Sequence, residues 1–281
     1  FYAGRAGRYG DNRPGIMDEF KIIRDFFAPL TSTLRSTDGL GTDGLRDDAA
    51  TLALPEGHDL VVTTDSLHAG RHFVGDEDPG DIARKALRVN LSDLAAMGAD
   101  PFAYQLALSL PKDDESVDRD WLTAFTTALG EDQQTFGISL SGGDLTSTYA
   151  PLSITITAMG TVPEGGKVRR RGAQPGDYIV LTGPVGDAAV GLRVVFDEMY
   201  VPAEAADTLI GCYRVPEIST AMAQAVRGHA NAAIDISDGL HADLQHICDA
   251  SALSAEIYTE HIPLSQACIQ LLQNDQLNWP G

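Results

Sequence analysis

Leu60-Val-Val-Thr-Thr-Asp65 is apolar or β-branched up to its last residue and then turns acidic. That composition suits a half-buried strand, and the carboxylate falls where the strand is expected to end. Ile138-Ser-Leu-Ser-Gly-Gly-Asp144 and Ala232-Ala-Ile-Asp235-Ile-Ser-Asp238 repeat the arrangement. Periodic helical segments lie between them, so the chain reads as a mixed strand–helix protein. Hard cations such as Mg²⁺ are bound by a few carboxylates together with substrate phosphates. Aspartates recurring at strand ends therefore predict a metal-assisted phosphate site.

Working outward from Asp65, the spacing predicts a helix over 79–98 with Pro79 in its first turn, a strand over 102–110 and a helix over 118–136. Strands follow over 138–140 and 152–159. Upstream, Phe20, Ile23, Phe26 and Phe27 give a helical period over 18–30, and residues 31–50 read as a Gly-, Thr- and Asp-rich loop. The stretch 160–176 holds Pro163, Gly165, Gly166, Gly172 and Pro175 with the basic cluster Lys167-Val-Arg169-Arg170-Arg171, and reads as a domain boundary. Beyond it come strands at 178–182, 232–236 and 255–258, with helices at 187–199, 216–228, 240–250 and 264–274. The expected fold class is α/β (α+β), with mixed α/β domains at 17–160 and 161–281. The second domain stops without completing its sheet. Residues 1–16, rich in Gly and Arg, read as a leader or mobile arm.

The chain has 281 residues and a formal net charge of −20. Nucleic acid and anionic membranes are disfavoured as partners, because both are bound through Lys and Arg. Cys212, Cys248 and Cys268 have no metal-ligand spacing and read as small buried hydrophobes in a reducing compartment. There is no run of 18 apolar residues, so no membrane span is expected. The expected location is the cytoplasm.

Asp93 is the most informative single residue. Ile82, Ala86, Val89 and Met97 form one helical stripe, and Asp93 falls on it one turn after Asn90. A carboxylate facing a core needs a metal, an Arg partner or a capping contact. Thr63-Thr64-Asp65 suits a hydrated Mg²⁺ or simply ends its strand. Asp47-Asp48 follows Gly39-Leu-Gly41-Thr-Asp-Gly44, a loop able to approach a phosphate rather than a dinucleotide fingerprint. The glycines of Ser141-Gly-Gly-Asp144 allow backbone N–H groups close to an anion. Asp238 either ligates a metal or caps the next helix, whose N-terminus points N–H groups outward. The basic cluster either meets phosphates or is a solvated linker. His68 and His72 are four apart, but Gly70 between them argues against a zinc-binding helix.

Six stretches, in order, carry a resemblance: Asp47-Asp48-Ala-Ala50; Val62-Thr-Thr-Asp-Ser-Leu-His-Ala-Gly-Arg-His-Phe73; Lys85 through Asn90-Leu-Ser-Asp93 to Pro101; Ser141-Gly-Gly-Asp-Leu-Thr146; Arg170-Arg-Gly-Ala173; and Ile234-Asp-Ile-Ser-Asp-Gly-Leu240. Together they resemble the thiamine-monophosphate kinase family, of the superfamily that also holds aminoimidazole-ribonucleotide synthetase and selenophosphate synthetase. Two departures stand beside it. Arg46 occupies a position usually held by Gly, and the family's acidic C-terminal motif and aromatic substrate contact have no counterpart before Gly281.

The resemblance implies an N-terminal domain that dimerises through its sheet, strands of both subunits closing one barrel, with a C-terminal α/β domain beside it and ATP in the cleft between. It implies that Asp47, Thr64, Asp65, Asp93, Asp144 and Asp235 hold several Mg²⁺ ions, with Thr63 and Asp238 as further ligands. Gly143, Asp144, Arg170 and Ser237 would touch ATP, and His72 would approach thiamine monophosphate. The implied reaction is ATP-dependent phosphorylation of thiamine monophosphate to thiamine diphosphate by in-line transfer without a general base. The alternatives are another ATP-dependent synthetase of the superfamily and a non-catalytic nucleotide- or metal-binding relative. The expected assembly is a homodimer.

Overall fold

A computed structural model describes residues 19–31, 45, 47–112, 114, 116–219 and 221–273. The readings on the 1–16 arm, the 39–44 loop, Arg46 and Gly281 lie outside the described residues. The N-terminal half is a four-stranded sheet with two helices on one face. In chain order it runs β1 (His58–His68), α2 (Pro79–Ala96), β2 (Asp100–Pro111), α3 (Arg119–Phe136), β3 (Ser139–Thr148) and β4 (Ser153–Pro163), preceded by a short α1 (Glu19–Ile22). The spatial order is β1-β4-β2-β3. β4 pairs antiparallel with both β1 and β2, whereas β2 and β3 are parallel. The parallel pair requires a crossover, which α3 supplies.

Local chemistry sets the helices. The Asp78 carboxylate accepts the Gly80 N–H at 2.8 Å and Pro79 opens α2, so this end is capped and pre-shaped. The Asp118 carboxylate accepts the Trp121 N–H at 2.8 Å, and α3 stops at Gly137, whose φ of 68° is left-handed. α1 does not continue as a regular α-helix. It passes into a π turn (Ile23–Phe27) and a 3₁₀ turn (Ala28–Thr31), where Pro29 lacks the N–H that a regular helix would use.

Leu87, Leu91 and Leu94 of α2, Leu122, Phe125 and Leu129 of α3, and Ile154 and Ile156 of β4 are buried together. Each such side chain contributes about 2–3 kcal/mol. Arg88 donates two hydrogen bonds of 2.8 Å to the buried Asp132 carboxylate and so ties α2 to α3.

Several expectations are corrected. β1 runs past Asp65 to His68, and β3 runs past Asp144 to Thr148. Both carboxylates therefore sit inside strands, because the buried Leu67 and Leu145 extend the pairing beyond them. The buried stripe of α2 is centred on Ala83, Leu87, Asn90, Leu91 and Leu94, so Asp93 lies at its margin, not on it. Among the described residues the sheet is open, with β1 and β3 as its edges, and its outer face leaves Leu60 and Val62 exposed.

The C-terminal half is helical: α4 (Asp187–Val195), α5 (Ala203–Arg214), α6 (Ala221–His229), α7 (Leu240–Ser251) and α8 (Gln266–Gln273). Val190, Leu209, Cys268 and Leu271 form its small core. The strands expected at 178–182, 232–236 and 255–258 join no ladder among the described residues. Tyr178 is 94% exposed and Val180 78%, so this apolar run has β composition but no partner strand. The expected 216–228 helix is shorter, Ala221–His229, and α5 was not anticipated. The fold class stands as mixed α and β around a mixed sheet.

Candidate active site

Along β1 the odd-numbered residues turn toward α2 and the even-numbered ones toward the open face, as the two-residue period of a strand requires. Thr63 thus reaches α2, and its Oγ1 donates a 2.5 Å hydrogen bond to Asp93 Oδ2. This settles what Asp93 meets: a hydroxyl from the neighbouring strand rather than an Arg or a cap. Asp65, one pleat further along, stands near the same carboxylate. Burial, and then the Asp93 charge, hold the Asp65 carboxyl above its usual range, and nearby His72 partly offsets this.

Asp235 comes to the same place from the C-terminal half. Burial and the Asp93 charge push its carboxyl up to about 6, against a hydrogen bond from the Ser92 side chain. Asp93 therefore stands electrostatically between Asp65 and Asp235, and the carboxylates come from β1, α2 and the turn before α7. They repel one another. Among the described residues no three His, Cys, Asp or Glu side chains form a closed metal cage. The donor set of carboxylates and a hydroxyl is nonetheless all oxygen, which suits Mg²⁺ rather than a soft metal.

The remaining expected residues are placed elsewhere. Thr64 turns to the open face and shares a 2.9 Å hydrogen bond with Thr157. On that face Asp47, Gly143 and Asp144 line a cleft of about 470 Å³ with Gln105 and Thr157. The expected ligands thus fall into two groups: Thr63, Asp65, Asp93 and Asp235 on the helix side, and Asp47, Thr64 and Asp144 on the open side.

Gly143 is there because nothing larger fits. A Cβ at this position would collide with the Leu106 carbonyl oxygen, beside the bulge between Tyr104 and Gln105. Gly143→Ala is expected to lower stability by about 2–3 kcal/mol, since the obstacle is backbone and not a side chain that can turn away. Urea denaturation reads this directly, and an unchanged midpoint would show that β2 yields.

The turn Asp235-Ile-Ser-Asp-Gly239 is held by a residue the sequence reading missed. Asp243, buried in the first turn of α7, accepts the N–H groups of Ser237 at 2.9 Å, Asp238 at 3.1 Å and Gly239 at 3.1 Å. Those turn N–H groups are consumed within the protein, and they precede the helix that begins at Leu240. Asp238 is not the cap either: Gly239 holds that position without a side-chain bond, and Asp238 is exposed. An acidic residue in the first helical turn, shortly after a Ser-Asp-Gly, was the available signal.

Arg170 is exposed in the linker, where its carbonyl meets the Ser251 hydroxyl at 3.5 Å. Its neighbours Arg169 and Arg171 line a separate basic cleft with Lys167 and Arg227. His72 lies in the loop after β1, and its Nδ1 accepts the His68 N–H at 3.0 Å. With Nδ1 occupied as an acceptor, the neutral ring carries its proton on Nε2 and offers an N–H donor. Burial, followed by the charges of His68, Arg71 and Lys85, holds the His72 pKa below its usual value and favours that neutral form.

Residues 46–162 match the AIR synthase related protein, N-terminal domain, and residues 174–276 the AIR synthase related protein, C-terminal domain. Over 263 residues, the chain is 42% identical to the thiamine-monophosphate kinase of Salmonella typhimurium, covering 93% of this chain and 78% of that protein. The chain belongs to the thiamine-monophosphate kinase family.

The family also appears among solved structures. The thiamine-monophosphate kinase of Stenotrophomonas maltophilia K279a superposes with a TM-score of 0.79 at 38% identity, covering 89% of this chain and 79% of that one. AaThiL complexed with AMPPCP and TMP gives a TM-score of 0.73 at 27% identity, covering 84% of this chain and 76% of that one. No helix among the described residues is long and apolar enough to cross a membrane.

Proposed function

We propose that this chain phosphorylates thiamine monophosphate to thiamine diphosphate with ATP as phosphoryl donor. The observation that carries the reading is the meeting of Thr63, Asp65, Asp93 and Asp235, contributed by both halves of the chain. Family membership and the relative complexed with AMPPCP and TMP support it.

The electrostatics of the site match the difficulty of the reaction. Two anions must meet, and the acceptor phosphate oxygen is already charged near neutral pH, so no side chain has to remove a proton from it. The work is positioning and charge compensation. Asp65, Asp93 and Asp235 on the helix side, and Asp47, Thr64 and Asp144 on the open face, would hold several Mg²⁺ ions, with Thr63 and Asp238 as further ligands. Bound there, Mg²⁺ would neutralise phosphate charge that the carboxylates alone repel. Gly143 brings backbone close to the nucleotide. Asp144, Arg170 and Ser237 complete that contact, and His72 offers its Nε2–H to the phosphate of thiamine monophosphate.

On this reading residues 17–160 bind metal and ATP and dimerise, and residues 161–281 form a second domain beside them that adds Arg170, Asp235, Ser237 and Asp238 to the site. β1 is an eleven-residue edge strand with exposed Leu60 and Val62 on its outer face. An open apolar edge of that kind is covered in a stable protein, and a second copy pairing here gives a homodimer with a closed barrel. The protein acts in the cytoplasm.

The test is ³¹P NMR of the protein with ATP, Mg²⁺ and thiamine monophosphate. Signals of thiamine diphosphate and ADP, growing together, are expected. ATP left intact, or split to ADP and free phosphate alone, would reject the acceptor.

A further inference from the structure

The loop after β1 is tied to the rest of the protein at the backbone of His72. The His72 carbonyl oxygen accepts two hydrogen bonds, one from Lys85 Nζ at 2.9 Å and one from the Tyr213 hydroxyl at 3.2 Å. Lys85 belongs to α2 and Tyr213 to α5, so the two donors come from opposite halves of the chain. They also hold each other: the Lys85 ammonium lies 3.6 Å from the centroid of the Tyr213 ring. The other end of the residue is fixed as well, through the His68 N–H on Nδ1 and the His72 N–H on the His68 carbonyl at 3.0 Å. Further along the loop, Phe73 is buried, and the Val74 and Gly75 N–H groups are taken by the buried Glu77 carboxylate at 2.7 and 2.6 Å.

We infer that Lys85 and Tyr213 are positioning residues for His72, forming a clasp through which the packing of α5 sets where the His72 Nε2–H points. The inference rests on the proposed reaction for its consequence, because His72 is the residue given to the acceptor phosphate there. The clasp itself rests only on the contacts above. A lone loop carbonyl is ordinarily satisfied by water. Here a half-buried ammonium, which forms no ion pair among the described residues and feels the Glu77 charge only at a distance, is spent on it together with a tyrosine hydroxyl. The arrangement is a poor way to gain stability, since a buried cation is costly to desolvate. It is a good way to fix a donor, because a small displacement of a binding group is enough to weaken its contact with substrate.

Tyr213→Ala and Lys85→Met test the clasp, with Tyr213→Phe as the conservative variant that keeps the ring over Lys85. Releasing the carbonyl is expected to raise KM for thiamine monophosphate about tenfold in the first two and about threefold in Tyr213→Phe, with KM for ATP changed by less than about twofold. A merely structural role would lower the fraction of active enzyme, reducing kcat while leaving both KM values alone. A second readout needs no turnover: the ¹⁵N resonances of the His72 ring in the ligand-free protein report its tautomer. The wild type is expected to show Nε2–H alone, and Tyr213→Ala and Lys85→Met a mixture of both tautomers. In an active enzyme, an unchanged KM for thiamine monophosphate, or equal rises for both substrates, overturns the inference. Should the wild type make no thiamine diphosphate, that failure belongs to the proposed reaction. The ring spectra then decide the clasp: mixed tautomers in the variants support it, and unchanged spectra overturn it.

Discussion

Asp93→Asn is expected to lower the turnover of thiamine monophosphate by about a thousandfold and to leave the fold intact. The substitution is isosteric, and an Asn carbonyl can still accept the hydrogen bond that Thr63 Oγ1 gives to Asp93 Oδ2. Packing around α2 should therefore survive, the more so because Asp93 sits at the margin of the buried stripe and not within it. What is lost is the negative charge that faces both Asp65 and Asp235. Removing it relaxes the repulsion between the carboxylates, so both neighbours ionise more easily. It also takes away the central oxygen anion available to a divalent cation. Turnover by coupled ADP release and circular dichroism separate the two effects. Near wild-type turnover with an unchanged spectrum would show that Asp93 is a structural partner of Thr63 and would remove the centre of the metal assignment.

How much of this was legible in the sequence depended on whether a residue acts through local pattern or through a distant neighbour. The order of strands and helices from His58 to Pro163 follows from apolar periodicity, and both long helices start near the expected places, capped by Asp78 and Asp118. The ends of β1 and β3 were misplaced because a carboxylate inside a strand looks like a terminator until the next inward-facing residue, Leu67 or Leu145, is seen to be buried. Residues 178–182 read as a strand from composition alone, but a ladder needs a partner and propensity does not supply one. α5 escaped notice because its buried face is only Ala205 and Leu209, too narrow a stripe to stand out. Within the site, Asp65, Asp93 and Asp235 could be picked out as chemistry, whereas their grouping could not. The Thr63–Asp93 bond spans 30 positions, and Tyr213 reaches His72 across 141. Contacts of that kind are set by packing, and nothing in their sequence spacing announces them.

Asp235→Asn is expected to abolish most activity, by about a hundredfold, while making the metal-free protein more stable. The sign follows from its titration. Burial and the Asp93 charge raise the Asp235 carboxyl to about 6 in the folded chain, against about 4 when unfolded. A carboxyl whose folded value is raised favours the folded state while protonated, below about pH 4. That contribution is lost as the pH climbs from about 4 to about 6, and at pH 7 the charged group opposes folding. Asp235 is half-buried and partly screened by solvent, so the net cost at pH 7 is about 1 kcal/mol, or about 2 °C in Tm for a chain of this length. The variant should melt above the wild type at pH 7 without metal, and the gap should close near pH 4. Adding Mg²⁺ should reverse the order, since a cation that binds only the folded protein stabilises the wild type more than a variant with one carboxylate fewer. Thermal melts at both pH values, with and without Mg²⁺, decide it. Equal Mg²⁺-induced shifts in the two proteins would mean that Asp235 meets no metal and that its raised pKa reflects burial beside Asp93 alone.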